Sequence, residues 1–224
     1  MPSSTMMYGA AMTEPRSLEG RPEGDWPLRQ RLKRATADQH RRLETELRLL
    51  DPDLSLDRYR RILECFLGFY APIEAGVAGV VSAGHARGLP LRERTALIES
   101  DLLSLGSSRR DVADLPRCVD LPRLSVTEDV AGCLYVLEGA CLGGQLIAPA
   151  LRQRLGIARG SGATFFVGDG DATGARWGVF LAWLQGLVPG GAQADEIVAA
   201  ARATFLSFAR WAERLETLPP PARQ

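Results

Sequence analysis

Leu32-Lys33-Arg34-Ala35-Thr36-Ala37-Asp38-Gln39-His40-Arg41-Arg42-Leu43-Glu44 is the stretch on which the reading of this chain turns. It carries one of only two histidines and the only lysine; every other residue in the Lys+Arg total is arginine. Leu28, Leu32, Ala35, Leu43 and Leu47 recur at the period of an amphipathic helix. Pro27 fits its first turn under a cap near Asp25, and the helix should close before Pro52. Lys33 and His40 lie seven residues apart, about two turns, so both side chains leave the same face roughly 10 Å apart along the axis. Thr36 and Leu47 flank His40 at the edge of the apolar stripe, and Glu44 follows one turn later.

Working outward, Ser55 caps a second helix through Tyr59, Ile62, Phe66 and Tyr70, which Pro72 should kink or interrupt and Gly84 should stop. Residues 90–105 read as a shorter helix and 106–124 as a loop. Ser125-Val126-Thr127-Glu128 has the form of a capping box opening a long apolar segment to Leu155. Gly156 to Gly174 reads as loop, with Thr164-Phe165-Phe166-Val167 as a brief extended piece. A helix over 175–187, a break at Pro189-Gly190-Gly191, and a last helix from Ala194 to Leu218 complete the chain. Strand periodicity is almost absent, which predicts an all-α fold. The expected division is a disordered tail over 1–24, one helical domain over 25–218 and a short tail over 219–224.

An imidazole and an ammonium on one helix face suit a ligand with a metal at its centre and carboxylates at its edge. Haem has that shape. The competing reading is a partly buried histidine on an amphipathic helix. His85, at a helix end, carries less. A second stretch bears on the choice: Leu134-Tyr135-Val136-Leu137-Glu138-Gly139-Ala140-Cys141-Leu142-Gly143-Gly144-Gln145. Each glycine inside a helix costs about 1 kcal/mol relative to alanine. Gly139 and Gly143 share a face, so a flat ligand can approach the backbone there. Close helix packing through a GxxxG pattern is the alternative. A membrane span over Val130 to Leu151 is opposed by Glu128, Asp129, Glu138 and Gln145.

Composition narrows the classes. Net charge is zero, which gives no field to recruit nucleic acid or an anionic membrane. The four cysteines form no CxxC pair and read as free buried thiols of a cytoplasmic protein. Met6-Met7-Tyr8-Gly9-Ala10-Ala11-Met12 is a short apolar run with no basic residue before it and makes a poor signal peptide; Met12 is itself an alternative start. Gly168-Asp169-Gly170-Asp171 imitates an EF-hand start, but Phe180 stands where the closing glutamate belongs; Asp171 or Thr173 should instead cap the next helix.

Together the two stretches resemble a known family. Leu32-Lys33-Arg34-Ala35-Thr36 with His40 and Glu44 is similar to the proximal helix of the haem oxygenases. Tyr135-Val136-Leu137-Glu138-Gly139 with Leu142-Gly143-Gly144-Gln145 is similar to their distal helix. The Val-Leu-Glu-Gly form is nearest the bacterial branch that supplies biliverdin to bacteriophytochromes. The resemblance spans about residues 25 to 217.

It implies an all-helical domain with haem between the two helices. His40 is then the axial iron ligand, with Lys33 on a propionate, Thr36 and Glu44 beside it, and Arg176 on a second propionate. Gly139, Gly143 and Gly144 bring the distal backbone onto the haem. Tyr135, Phe205 and Phe208 serve as pocket walls. The implied reaction consumes haem and O2 and yields biliverdin, CO and ferrous iron. No flavin, nicotinamide or iron–sulfur motif is present, so a separate ferredoxin or flavin reductase must supply electrons. One departure stands out: many members carry aspartate where this chain has Ala140. Gln145, Glu138 or backbone carbonyls then remain to order water. A haem carrier or sensor without ring cleavage is the alternative that Ala140 supports. A di-metal carboxylate site is disfavoured by the shortage of histidine.

Overall fold

The computed structural model describes residues 26–187 and 191–216. The expected tails, the Asp25 cap, most of the Pro189-Gly190-Gly191 break and Leu218 therefore lie outside the described residues. All described regular structure is helical: α1 (Leu28–Leu47), α2 (Leu56–Ser82), α3 (Thr95–Ser104), α4 (Arg109–Asp114), α5 (Thr127–Leu155), α6 (Thr164–Val167), α7 (Thr173–Gly186) and α8 (Gly191–Ala212), with 3-10 turns at Gly170–Ala172 and Glu213–Glu216. The all-α expectation holds.

Pro27 precedes α1 at its N-cap rather than sitting in its first turn, and Arg48 ends the helix in the left-handed conformation. Ser55 accepts from the Arg58 N–H and opens α2 as expected. Pro72 does not interrupt α2, which runs unbroken to Ser82. A proline lacks the N–H that the carbonyl four residues back requires; here that carbonyl, on Gly68, accepts instead from the Cys118 N–H at 2.8 Å. Gly68 also admits Trp211, since a Cβ there would lie 2.5 Å from the indole.

Four local expectations are corrected. Residues 106–124 contain α4, capped reciprocally by Ser108 and Asp111. The Ser125–Glu128 box is not used; Asp129 accepts from the Ser125 and Val126 N–H groups at 2.9 and 3.2 Å. Thr164–Val167 is a helical turn, not extended, because the fully buried Asp101 carboxylate accepts from the Thr164 and Phe165 N–H groups at 2.7 Å each. Neither Asp171 nor Thr173 caps α7, which begins without a side-chain cap.

The core is organised by α8. Ile197, Ala201, Phe205, Phe208 and Trp211 are buried along it, and α1 and α5 both pack on it. Each such large apolar side chain contributes roughly 1.5–3 kcal/mol when withdrawn from water. Gly132 makes the α5 crossing close: a Cβ there would meet the Ile197 carbonyl at 2.3 Å and Ala200 Cβ at 2.6 Å. Phe208 stacks on Phe69 with centroids 4.4 Å apart, so it belongs to the core and not to a pocket wall. Both α2 and α5 are long and apolar enough to cross a membrane, but half of each such window is buried inside the protein, as befits core helices.

Candidate functional site: a wedge between two helices on a shared third

At about 100° per residue, Gly132, Gly139 and Gly143 lie within about 40° of one another around α5. At Gly132 that face is sealed against α8. Among the described residues, a Cβ at Gly139 would meet nothing within 4 Å, and at Gly143 it would meet only Ile147 of the same helix, at 3.8 Å. The face that starts on α8 has left it within two turns. Tight helix packing therefore does not account for Gly139 or Gly143. It does account for Gly144, where a Cβ would lie 2.1 Å from the Phe166 carbonyl. Gly144 seats α6 against α5, which corrects its expected place on the ligand face.

His40 stands on the other helix that leans on α8. Its side chain is 30% exposed, with Nδ1 3.4 Å from Glu44 Oε2. The imidazole meets Phe205 of α8 edge-on, centroids 5.8 Å apart at 75°. Phe205 thus backs the histidine as a wall. Lys33 is exposed on the same face of α1, as is Arg29, eleven residues before His40 and about 20° from it around the axis. Thr36 is buried and donates its hydroxyl to the Leu32 carbonyl at 2.8 Å; its polar group is spent inside α1.

The two faces are turned toward each other at one end. Tyr135, on the glycine face of α5, has its phenol pushed up to about 12 by burial, and the nearby Arg29 guanidinium of α1 works against that rise. Tyr135 also packs on Trp177 of α7, centroids 5.7 Å apart. Arg29 and Trp177 were not singled out by sequence reasoning; Arg29 was legible as a third basic position on the Lys33–His40 face.

Gln145 is exposed and lies about 160° around α5 from Gly143. Arg176 is more than half exposed and its Nε lies 3.4 Å from Asp169 Oδ1. Glu138 accepts from Arg94 Nη2 at 3.0 Å. Sequence reasoning joined none of these to Arg92, Arg94 and Asp169, which the fold gathers behind α5. Among the described residues no group of three His, Cys, Asp or Glu side chains is placed to hold a metal ion. A single histidine beside a flat, open helix face suits iron already held in a macrocycle.

The domain is all-helical, with His40 on α1 and the Gly139–Gly143 face on α5, two helices that both pack on α8. The heme oxygenase family model matches residues 26–214, and the chain belongs to that family. No match among curated protein sequences is found. The fold is similar to the NO- and CO-bound haem oxygenase of Neisseria meningitidis, with TM-score 0.68 and 20% identity over 87% of this chain and 94% of that one. It is similar to haem oxygenase from Leptospira interrogans at TM-score 0.65 and 19% identity, over 84% of this chain and 100% of the other. A domain of unknown function from Shewanella denitrificans with a haem oxygenase-like fold aligns at TM-score 0.65 and 14% identity, over 86% and 93%.

Proposed function

We propose that this chain opens the haem macrocycle oxidatively to biliverdin, with release of CO and ferrous iron, in the wedge between α1 and α5. The observation that carries the reading is the open Gly139–Gly143 face on a helix that shares α8 with the His40 helix. The bound haem supplies the redox chemistry; the chain supplies binding, orientation and protons.

His40 is the iron ligand in this reading. With Nδ1 turned to Glu44, Nε2 is the nitrogen for iron, and the carboxylate fixes ring orientation and raises ligand basicity. Phe205 limits ring rotation from behind. Lys33 and Arg29 stand on the same face as cations for the propionates, and so set which edge of the macrocycle faces inward. Arg176, tied to Asp169, is a less direct second contact than the sequence implied. On the opposite side Gly139 and Gly143 place backbone, not side chain, against the haem.

Electrons come from a separate ferredoxin or flavin reductase. The biliverdin acceptor is a bacteriophytochrome, and the compartment is the cytoplasm. Ala140 supports a second reading, a haem carrier or sensor, since no acid stands at that position. One experiment separates them. Haemin is added to the purified protein, the spectrum is recorded, and a reductant is supplied in air. Conversion of a histidine-ligated spectrum to that of a bile pigment supports ring cleavage. Haem that survives turnover conditions supports the carrier. Failure to bind haem sinks both.

A further inference from the structure

Glu138 immediately precedes Gly139 of α5, and its carboxylate joins an ionic cluster centred on the buried Arg94. Arg94, just before α3, is 3% exposed. Its Nη2 donates to Glu138 at 3.0 Å and lies 3.8 Å from Asp169 Oδ2. Asp169 also pairs with Arg92 and with Arg176 of α7. Glu74 of α2 accepts from the backbone N–H of Arg94 at 2.7 Å. Arg159 fixes the loop carrying Asp169 by donating to the Gly168 carbonyl at 2.6 Å. Beside the cluster, Tyr70 and Cys141 are buried, and the Tyr70 hydroxyl donates to the Leu137 carbonyl at 3.3 Å.

Four parts of the chain thus join one cluster, which reaches α5 through Arg94 and Glu138 one residue before Gly139: α2, the segment before α3, the α6–α7 loop and α7. The helix they meet is soft there. It carries Gly139, Gly143, Gly144 and Pro149 in eleven residues, and among the described residues no neighbouring helix covers it at Gly139 or Gly143. Glycine interiors allow bending, so the position of that half must be set from behind.

We infer that Arg94 is a positioning residue for the proposed haem site: through Glu138 it braces α5 at the glycine step and fixes the width of the wedge. The assignment deepens the proposed function and rests on it for its catalytic meaning, but the brace is a property of the protein without ligand. Among the described residues, Arg94 Nε and Nη1 are buried without a hydrogen-bond partner. Buried water meets such donors in folded proteins, and the guanidinium therefore acts on Glu138 and Asp169 through Nη2 alone. A single point of attachment makes the brace sensitive to substitution at either end.

The test is amide hydrogen exchange on the ligand-free full chain. In Arg94→Gln, amides of residues 139–146 exchange faster by about tenfold or more, as loss of one charged hydrogen bond predicts, while those of α8 keep their rates. Glu138→Ala gives the same local effect without burying a new polar group. Glu138→Gln, whose carbonyl still accepts from Nη2, restores most of the protection. In haem-loaded Glu138→Ala, the absorption bands that report spin state shift with His40 still ligated. Unchanged exchange over 139–146 in folded Arg94→Gln and Glu138→Ala overturns the inference, as does acceleration spread equally over α8. If the native chain does not bind haem, the functional reading falls while the exchange pattern still decides the brace.

Discussion

The His40 imidazole and the Phe205 ring meet edge to face, 5.8 Å between centroids, so the proposed ligand histidine is steadied by the same helix that supports both walls of the wedge. Phe205→Ala removes this backing. The substitution opens a core cavity and costs about 3–5 kcal/mol of stability. Phe205→Leu keeps most of the volume, retains the fold, and broadens the iron-ligand spectrum by loosening the imidazole. Thermal melts and haem spectra of the two variants check the separation.

His40→Ala abolishes the histidine-ligated haem spectrum and leaves the melting temperature within a few degrees, because the side chain is 30% exposed. Glu44→Gln keeps ligation but weakens it about 10–100-fold, the usual consequence of losing the partner of a ligand histidine. Haemin titration of each variant reads both outcomes.

Lys33→Glu places a carboxylate where a propionate is expected. The variant loosens haem rotation and changes the mixture of biliverdin isomers, measured chromatographically after turnover. An unchanged mixture removes Lys33 as the anchor.

The four glycines of α5 separate into two pairs. Gly139→Ala and Gly143→Ala preserve or raise stability by up to about 1 kcal/mol, since alanine is the better helix residue and the space is open; Gly139→Leu lowers haem affinity about 10–100-fold by filling the wedge. Gly132→Ala and Gly144→Ala force a Cβ onto carbonyl oxygens at 2.3 and 2.1 Å and cost about 1–3 kcal/mol or more. Denaturant melts paired with haem titration distinguish the pairs.

Alkaline pH provides a ligand-independent check. Burial pushes the Cys133 and Cys141 thiols up to about 12. The folded chain holds these protons where the unfolded chain, titrating near 9, releases them. Their stabilisation is complete below pH 9 and is lost as pH rises toward 12, at up to about 1.4 kcal/mol per pH unit for each thiol. Cys133→Ala flattens the fall in stability between pH 9 and 12. The same burial predicts that neither thiol reacts with a thiol reagent at pH 8 until the protein unfolds.

What the sequence revealed, and what it hid, follows from the range of the interactions. The Ser55 cap and the His40–Lys33 face depend on neighbours a few residues away and were legible. The Ser108–Asp111 box of α4 is equally local, though Pro116 and Pro122 weight that segment toward a loop. Asp101 reaching the N-terminus of α6, Cys118 rescuing the Gly68 carbonyl beneath Pro72, and Arg94 reaching Glu138 each join residues far apart in the chain, and no local pattern announces them. The glycines show both limits at once. Their presence in α5 is plain and spacing pairs Gly139 with Gly143, but the family resemblance grouped Gly144 with that face, when the position of Phe166 decides that it faces the core.

The crossing at Gly132 makes the second half of α5 a lever. From Gly132 to Gly143 the helix runs eleven residues, about 16 Å. A tilt of about 5° at the crossing displaces Gly143 by about 1.4 Å, comparable to the clearance that separates a fitting ligand from a blocked one. Residues on α8 that touch no ligand, Ile197 and Ala200 above all, therefore hold the fulcrum. Changes in their size are transmitted, amplified with distance, to the far end of the helix.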